Sequence, residues 1–526
     1  MMDRLRIVLC AAVSLLSVGA CLAAPVVLAD KGTAHAVIVM DRDLRNWREQ
    51  LVVRDLSDYL YKVTGAVFPI VMAGQEKPGD TCVYAHRVAA EKLGLDLATF
   101  GSEEWLMKVA GGNVYLTGGS GDGFLCAVHH FLEDVVGVRW WNAFEEFIPA
   151  KPTLSVDELE VRKQPAFRIR FNFIPYDRPP KQGARESMYL LRNRCEYWYS
   201  PHPDGDFTWN YEFRSMSMPW GHALLSMVPP AQFAAHPDWF AQIDGKRTTS
   251  ANDLCLSSEG ARRYAAESLK NNINISRASN AEKGVPGPFV FSLGREDNAE
   301  WCQCAVCQKA IATSSQTDLM LEFVNSVAAE VGQQFPDALI SFLAYQGVAA
   351  PPQRVKPLPN VVPLYCTEGV NEARSLSDPS NAGALAAIKS WRAVSKDVMF
   401  WVYRRTFQRF HGSYGSSNGY DFASPNVLAF GSDLRLLHSL GALGMFNEHE
   451  DNLTQDLRDM KSWLLAKLME DPEQDETKLQ DAFLNGYYGA AAPAIRRYLT
   501  ALAKADLRQP SQLWFFADLQ EYKYLD

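Results

Sequence analysis

Apolar positions along this chain switch repeatedly between a period of two and a period near 3.6, the alternation left by strands and helices that follow one another. A β-branched run over 34–40 (AHAVIVM) predicts a strand, and apolar residues recurring every three or four positions over 46–64 predict an amphipathic helix. Short apolar runs over 69–72 and 113–117 predict two more strands, and 123–136 predicts a second helix. Together they describe a small α/β domain over 25–155.

From residue 165 onward the strand candidates come at longer intervals with helices between them. They fall at 167–173, 213–218, 239–243, 289–293, 339–344, 361–365, 398–403 and 442–447. Eight is the number that closes a (β/α)8 barrel of TIM type, which is assigned to 156–455. Intervening stretches such as 317–335 and 381–394 carry the helical period and begin near polar caps. After Asp456 the segments LRDMKSWLLAKLMED, ETKLQDAFLNGYYG and AAPAIRRYLTALAKA predict a helical region over 456–526. The fold class is therefore α/β: a small N-terminal α/β domain, a central barrel and C-terminal helices.

Composition narrows the class of partner. The chain has 526 residues, too many for one ordinary domain, and its 47% hydrophobic and 21% charged residues are globular proportions. A net charge of -9, with no run of Lys or Arg longer than a pair, leaves no electrostatic footprint for nucleic acid. At the N-terminus Arg4 and Arg6 precede an apolar run over 7–18 and then small residues, the layout of a signal peptide over 1–24. Export is expected, to the periplasm, the outer membrane or the medium. Val18-Gly19-Ala20-Cys21 resembles a lipobox that would leave a lipid anchor on Cys21, whereas the alanines after it suit ordinary signal peptidase. No later window holds the roughly 18 uninterrupted apolar residues that span a bilayer.

The densest chemistry lies at 291–307, FSLGREDNAEWCQCAVC, where a strand runs into Glu296 and Asp297 and then three close cysteines. Strand ends of this kind hold the active sites of barrels. Cys302, Cys304 and Cys307, with Cys255 as a fourth member, have spacing that suits structural zinc, and one or two disulfides are equally open in an exported protein. Gly118, Gly119, Gly121 and Gly123 match neither phosphate-loop pattern and suit a tight strand-to-helix turn.

These segments resemble the bacterial family of domain of unknown function 4838, part of which is classed as glycoside hydrolase family 163. LSDYLYKVTG and FLEDVVGVRWW look like the small domain that precedes the barrel in α-glucuronidases and family 20 hexosaminidases. HPDWFAQIDGKR, NDLCLSS, the Asp-Asn pair with its C-x-C-x-x-C cluster, and LNGYYGAAAPAIRRYL carry the likeness onward. The resemblance implies hydrolysis of a glycosidic bond in a carbohydrate or glycoprotein glycan. For some members this is endo-acting β-N-acetylglucosaminidase action, without a catalytic cofactor.

Such chemistry needs carboxylates at the barrel mouth. The fourth strand brings Glu296 and Asp297, the sixth Glu368, and the eighth Glu448 with Glu450 and Asp451; the seventh, FWVYRRT, brings none. An adjacent acidic pair is similar to family 20, where one member orients the substrate acetamido group and the other protonates the leaving group. His222 can bond a sugar hydroxyl, and Trp220, Tyr345, Trp401 and Tyr403 can stack on a pyranose face. Arg168 and Arg170 share one face of the first strand, where they hold an anionic sugar if inward and form a solvated face if outward. Two other readings stand beside the hydrolase: a glycan-binding protein that has lost the chemistry, and a thiol redox or zinc enzyme.

Overall fold

A computed structural model describes residues 24–526 except 43, 45–46, 174–179, 198–214, 252, 405–422, 449–455, 515–516, 518 and 526, and omits the side chains of 180–184 and 519. The expected signal segment with Cys21, the start of the strand expected at 213–218, and Glu450 and Asp451 lie outside the described residues. Among the described residues no helix is long and apolar enough to cross a membrane.

The N-terminal sheet has six strands in the order Leu159–Lys163, Trp105–Ala110, Asn113–Gly118, Thr81–Ala85, Ala36–Met40 and Ile70–Met72. The helix Trp47–Thr64 buries Leu51, Val52, Leu56, Tyr59, Leu60 and Val63, a single apolar stripe packed on the shared core. One edge strand corrects the expected boundary at 155, because Leu159–Lys163 pairs antiparallel with Trp105–Ala110. The glycines of 118–123 close a strand-to-helix turn. A Cβ on Gly119 would lie 1.9 Å from the Gly101 carbonyl oxygen, and one on Gly118 2.2 Å from the Gly123 carbonyl carbon.

The central sheet is parallel throughout and curls as a half-barrel. Its order is Ile169–Phe173, Ala442–Glu448, Val398–Tyr403, Val361–Cys366, Leu339–Ala344 and Val290–Ser292. Single parallel bridges continue both edges, Phe171 to Glu196 and Met216 to Val290. The second barrel position is therefore at Glu196, which no strand expectation covered, and the segment expected second stands third. The expected strand at 239–243 is not a barrel strand. Pro237–Trp239 is a 3-10 turn, and Gln242–Ile243 pairs with Lys246–Arg247 across Asp244 and Gly245. Both turn residues have positive φ, 48° and 77°, so the Asp-Gly pair sets a tight hairpin.

Inside the half-barrel Ile169, Phe171, Val362, Leu364, Cys366, Met399, Leu443 and Phe446 form one apolar cluster. Alternation then turns 168, 170 and 172 outward. Arg168 lies 4.2 Å over the Phe289 ring, and Arg170 is fully buried, paired with Glu103 at 2.6 Å and donating to the Arg194 carbonyl at 2.9 Å. Both residues belong to the start of the first strand and neither holds a sugar at its far end. The solvated-face alternative also fails for Arg170.

A buried ionic network docks the N-terminal unit on the barrel and on the helix Arg458–Glu470. Asp55 meets Arg192 at 2.8 Å and His129 at 3.2 Å. Glu133 meets Arg194 at 2.8 Å and Lys467 at 2.6 Å, while Glu470 meets Arg194 at 2.8 Å and His130 at 2.7 Å. Two further helices follow, Glu476–Phe483 and Ala492–Arg508.

Candidate active site at the barrel mouth

The two acidic residues after the fourth strand hydrogen-bond to different elements. Glu296 Oε1 accepts the backbone N–H of Leu225 at 3.1 Å, at the start of the short helix Leu224–Met227. Asp297 is exposed, and its Oδ1 accepts the Gln346 side-chain amide at 3.0 Å. The chain bends at Asp297, where the Asn298 N–H donates to the Glu296 carbonyl at 2.9 Å, and the two carboxylates take different partners. One Glu296 oxygen is thereby engaged in capping a short helical turn.

Asp297 finds a different partner. Gln346, just past the fifth strand, donates its backbone N–H to Glu368 Oε2 at 2.7 Å while its side chain holds Asp297. One residue thus positions carboxylates from the fourth and sixth strands. Gln346 has a φ of 49°, a left-handed conformation that costs a residue with a Cβ roughly 1–2 kcal/mol. Burial raises the Glu368 carboxyl above its ordinary range, and the nearby negative charge of Asp297 raises it further, against the lowering hydrogen bond from Gln346.

Glu448 ends the eighth strand and accepts the Trp401 indole N–H at 2.8 Å. Trp401 stacks on Trp220 with centroids 5.0 Å apart and planes 14° from parallel, and both rings pack on Phe446. Tyr345 and Tyr403 join the same apolar interior, so the four aromatic candidates come together. The Trp220 Nε1 is buried with no hydrogen-bond partner among the described residues. His222 sits across from Tyr345 at 6.2 Å, and its Nδ1 donates to the Arg295 carbonyl at 2.5 Å, which leaves Nε2 unprotonated in the neutral ring. Beneath the carboxylates Cys366 is buried, and burial followed by the charge of Glu368 pushes its thiol well up.

The four cysteine candidates also converge. All are buried, none is disulfide-bonded, and their sulfurs lie within 4.8 Å of one another. Cys304 caps the helix Ala305–Thr313.

Two features near the strand ends carry no motif in the sequence. Gln346 needed its positive φ to be visible, and the following Gly347 was the only hint of a turn. Past the end of the sixth strand, buried Glu372 pairs with Arg404 at 2.9 Å; burial lifts its carboxyl to about 7 against the lowering charge of Arg404, with Asp433 raising it further.

Solved structures similar in fold include glycoside hydrolases. The family GH115 4-O-methyl-α-glucuronidase BtGH115A, with specificity for decorated arabinogalactans, superposes with a TM-score of 0.56 at 13% identity, over 93% of this chain and 64% of that one. The chain thus spans less than two thirds of that enzyme. CpGH84B gives 0.47 at 11% identity, over 89% and 73% of the two chains. A β-N-acetylhexosaminidase from Bacteroides fragilis NCTC 9343 gives 0.43 at 13%, over 87% and 92%. No curated protein sequence matches this chain. The fold is glycosidase-like, and residues 140–500 match the family described as Domain of unknown function (DUF4838), to which the chain belongs.

Proposed function

We propose that the protein hydrolyses a glycosidic bond of an acetamido sugar in a complex glycan, with Glu368 as proton donor and Asp297 as its charged partner. The observation that carries this is the double hold of Gln346 on both carboxylates. Glu368 is half-buried with a raised pKa, which suits an acid that must keep its proton until the leaving oxygen takes it. Asp297 is exposed at the mouth and would accept the substrate acetamido N–H, turning the acetamido oxygen toward the anomeric carbon. That oxygen then bonds to the anomeric carbon as the glycosidic bond breaks, and water, deprotonated by Glu368, opens the cyclic intermediate. The seventh strand presents Trp401 and Tyr403 where a nucleophilic carboxylate would stand, which favours a nucleophile supplied by the substrate. No cofactor enters this scheme. The glycan class fits an exported protein, as Arg4, Arg6 and the apolar run after them suggest.

The test is reducing-end release by the mature protein from aryl β-N-acetylglucosaminides, aryl glucuronides and intact N-glycoproteins. Release from acetamido sugars and none from their deacetylated analogues is expected. Release from glucuronides alone would sink the acetamido mechanism, and binding without release would favour a glycan-binding protein.

Gln346→Gly separates positioning from folding. Glycine accepts the positive φ and keeps the backbone N–H for Glu368 but loses the amide that holds Asp297. Stability is expected to hold or rise by up to about 1 kcal/mol. Turnover is expected to drop roughly tenfold or more, by analogy with other outer hydrogen bonds that orient reacting groups. Thermal unfolding and kcat on one glycan read both effects; an unchanged kcat would remove Gln346 from the site.

A further inference from the structure

We propose that Cys255, Cys302, Cys304 and Cys307 bind one zinc ion as four thiolates, a structural metal that fastens the segment carrying Asp297 to the barrel wall. All four sulfurs lie within 4.8 Å of one another, close enough to share one ion. Cys255 Sγ lies 3.7 Å from Cys304 Sγ and 3.8 Å from Cys307 Sγ. A Zn–S bond of about 2.3 Å places tetrahedral ligands about 3.8 Å apart. A disulfide would instead draw two sulfurs to about 2.05 Å, far inside the 3.7 and 3.8 Å of Cys255 to Cys304 and Cys307.

Donors around the sulfurs suit negative charge. The Gln242 N–H points at Cys302 Sγ at 3.3 Å, the Cys307 N–H at Cys304 Sγ at 3.5 Å, and Arg247 Nη1 at Cys302 Sγ at 3.7 Å. The Ser257 hydroxyl lies 3.3 Å from Cys255 Sγ and 3.2 Å from Cys307 Sγ. Four thiolates and one zinc ion carry a net double negative charge, which Arg247 and these backbone dipoles offset. Binding displaces the thiol protons to solvent. All four ligands are protein sulfurs and all are buried, so no coordination position opens to a substrate.

The location explains why the chain needs this clasp. Arg295 pairs with buried Asp253 at 2.8 Å, and two residues after Asp253 comes Cys255. The segment from Arg295 to Cys307, with Asp297 in its first turn, is therefore pinned at both ends to one short stretch. Zinc at its far end fixes a loop that has no strand or helix before Ala305.

Metal analysis of the mature protein, prepared with zinc and iron equally available, decides the matter. About one zinc per chain is expected, as a closed four-thiolate site takes. Exchange for cobalt should give the intense visible and sulfur-to-metal absorption of a tetrahedral tetrathiolate. Cys302→Ser should lose most of the bound zinc. If that variant does not fold, the wild-type chain still answers through alkylation, since the four thiols should be protected until a strong chelator removes the metal. Zinc well below one per chain, iron in its place, or cluster cysteines recovered as disulfides would each overturn the proposal.

Discussion

Glu368→Gln is expected to lower glycan release by roughly 100- to 10,000-fold, the loss that follows when a positioned general acid is removed. The substitution is nearly isosteric, and the new amide oxygen can still accept the Gln346 N–H now held at 2.7 Å. Folding should therefore be spared while the transferable proton is gone. Burial and then Asp297 raise the carboxyl of Glu368, the direction that a proton donor requires. Wild-type turnover should fall on the alkaline side as Glu368 ionises, at a pH above the ordinary glutamate value of about 4.3. That limb should vanish from the residual rate of the variant. Rates of both proteins on one glycan, from acidic to neutral pH, check the expectation, and a full-speed variant would move the acid to Glu448.

Arg194→Met should destabilise the protein by about 3–5 kcal/mol, the range for breaking a buried ion pair from one side. The Arg194 side chain is 1% exposed and bonds Glu133 and Glu470 at 2.8 Å each. Methionine fills the volume but leaves two carboxylates in the interior with less compensation. Burial pushes Glu133 up, but Lys467 and Arg194 more than reverse this and bring it down to about 2. Glu470 is likewise raised by burial and carried well below its usual range by Arg194 and His130. Depressed carboxylates stabilise the fold fully above their unfolded pKa of about 4.3 and lose that contribution as pH falls through their folded values. Wild-type stability should thus decline between about pH 4.3 and about pH 2, and the decline should be shallower in Arg194→Met. Urea midpoints at neutral and acidic pH measure both effects. Equal midpoints at neutral pH would show that the network contributes little to docking.

Regular parts of this fold were legible because period and burial agree. The fifth to eighth strands are long, apolar and bounded by turns, and the structure places them within a residue of expectation. The second barrel position was hidden, since Glu196 is a polar residue held by a single bridge and by the Ser215 hydroxyl. Residues 239–243 misled because Trp, Phe and Ile look like a strand, although the Asp244-Gly245 pair beside them is a hairpin signal. Strand-end logic put Asp297, Glu368, Glu448 and the aromatic residues at one mouth, and the structure brings Gln346 between the first two. It could not tell that Glu296 bonds Leu225 instead of Gln346, or that Gln346 links Asp297 to Glu368, because both depend on local backbone angles. Arg170 shows the limit of alternation, which fixes which residues share a face but not what lies against it. A neighbouring domain, through Glu103, covers that face.

The central claim is that the barrel mouth cleaves glycosidic bonds with Glu368 and Asp297. It is tested most directly by mass spectrometry of glycans after incubation with the mature protein in heavy-oxygen water, alongside Glu368→Gln. The account predicts new reducing ends carrying the heavy oxygen with the wild-type protein, and almost none with the variant. Equal release by both proteins, or glycan binding with no release from any substrate, would contradict it.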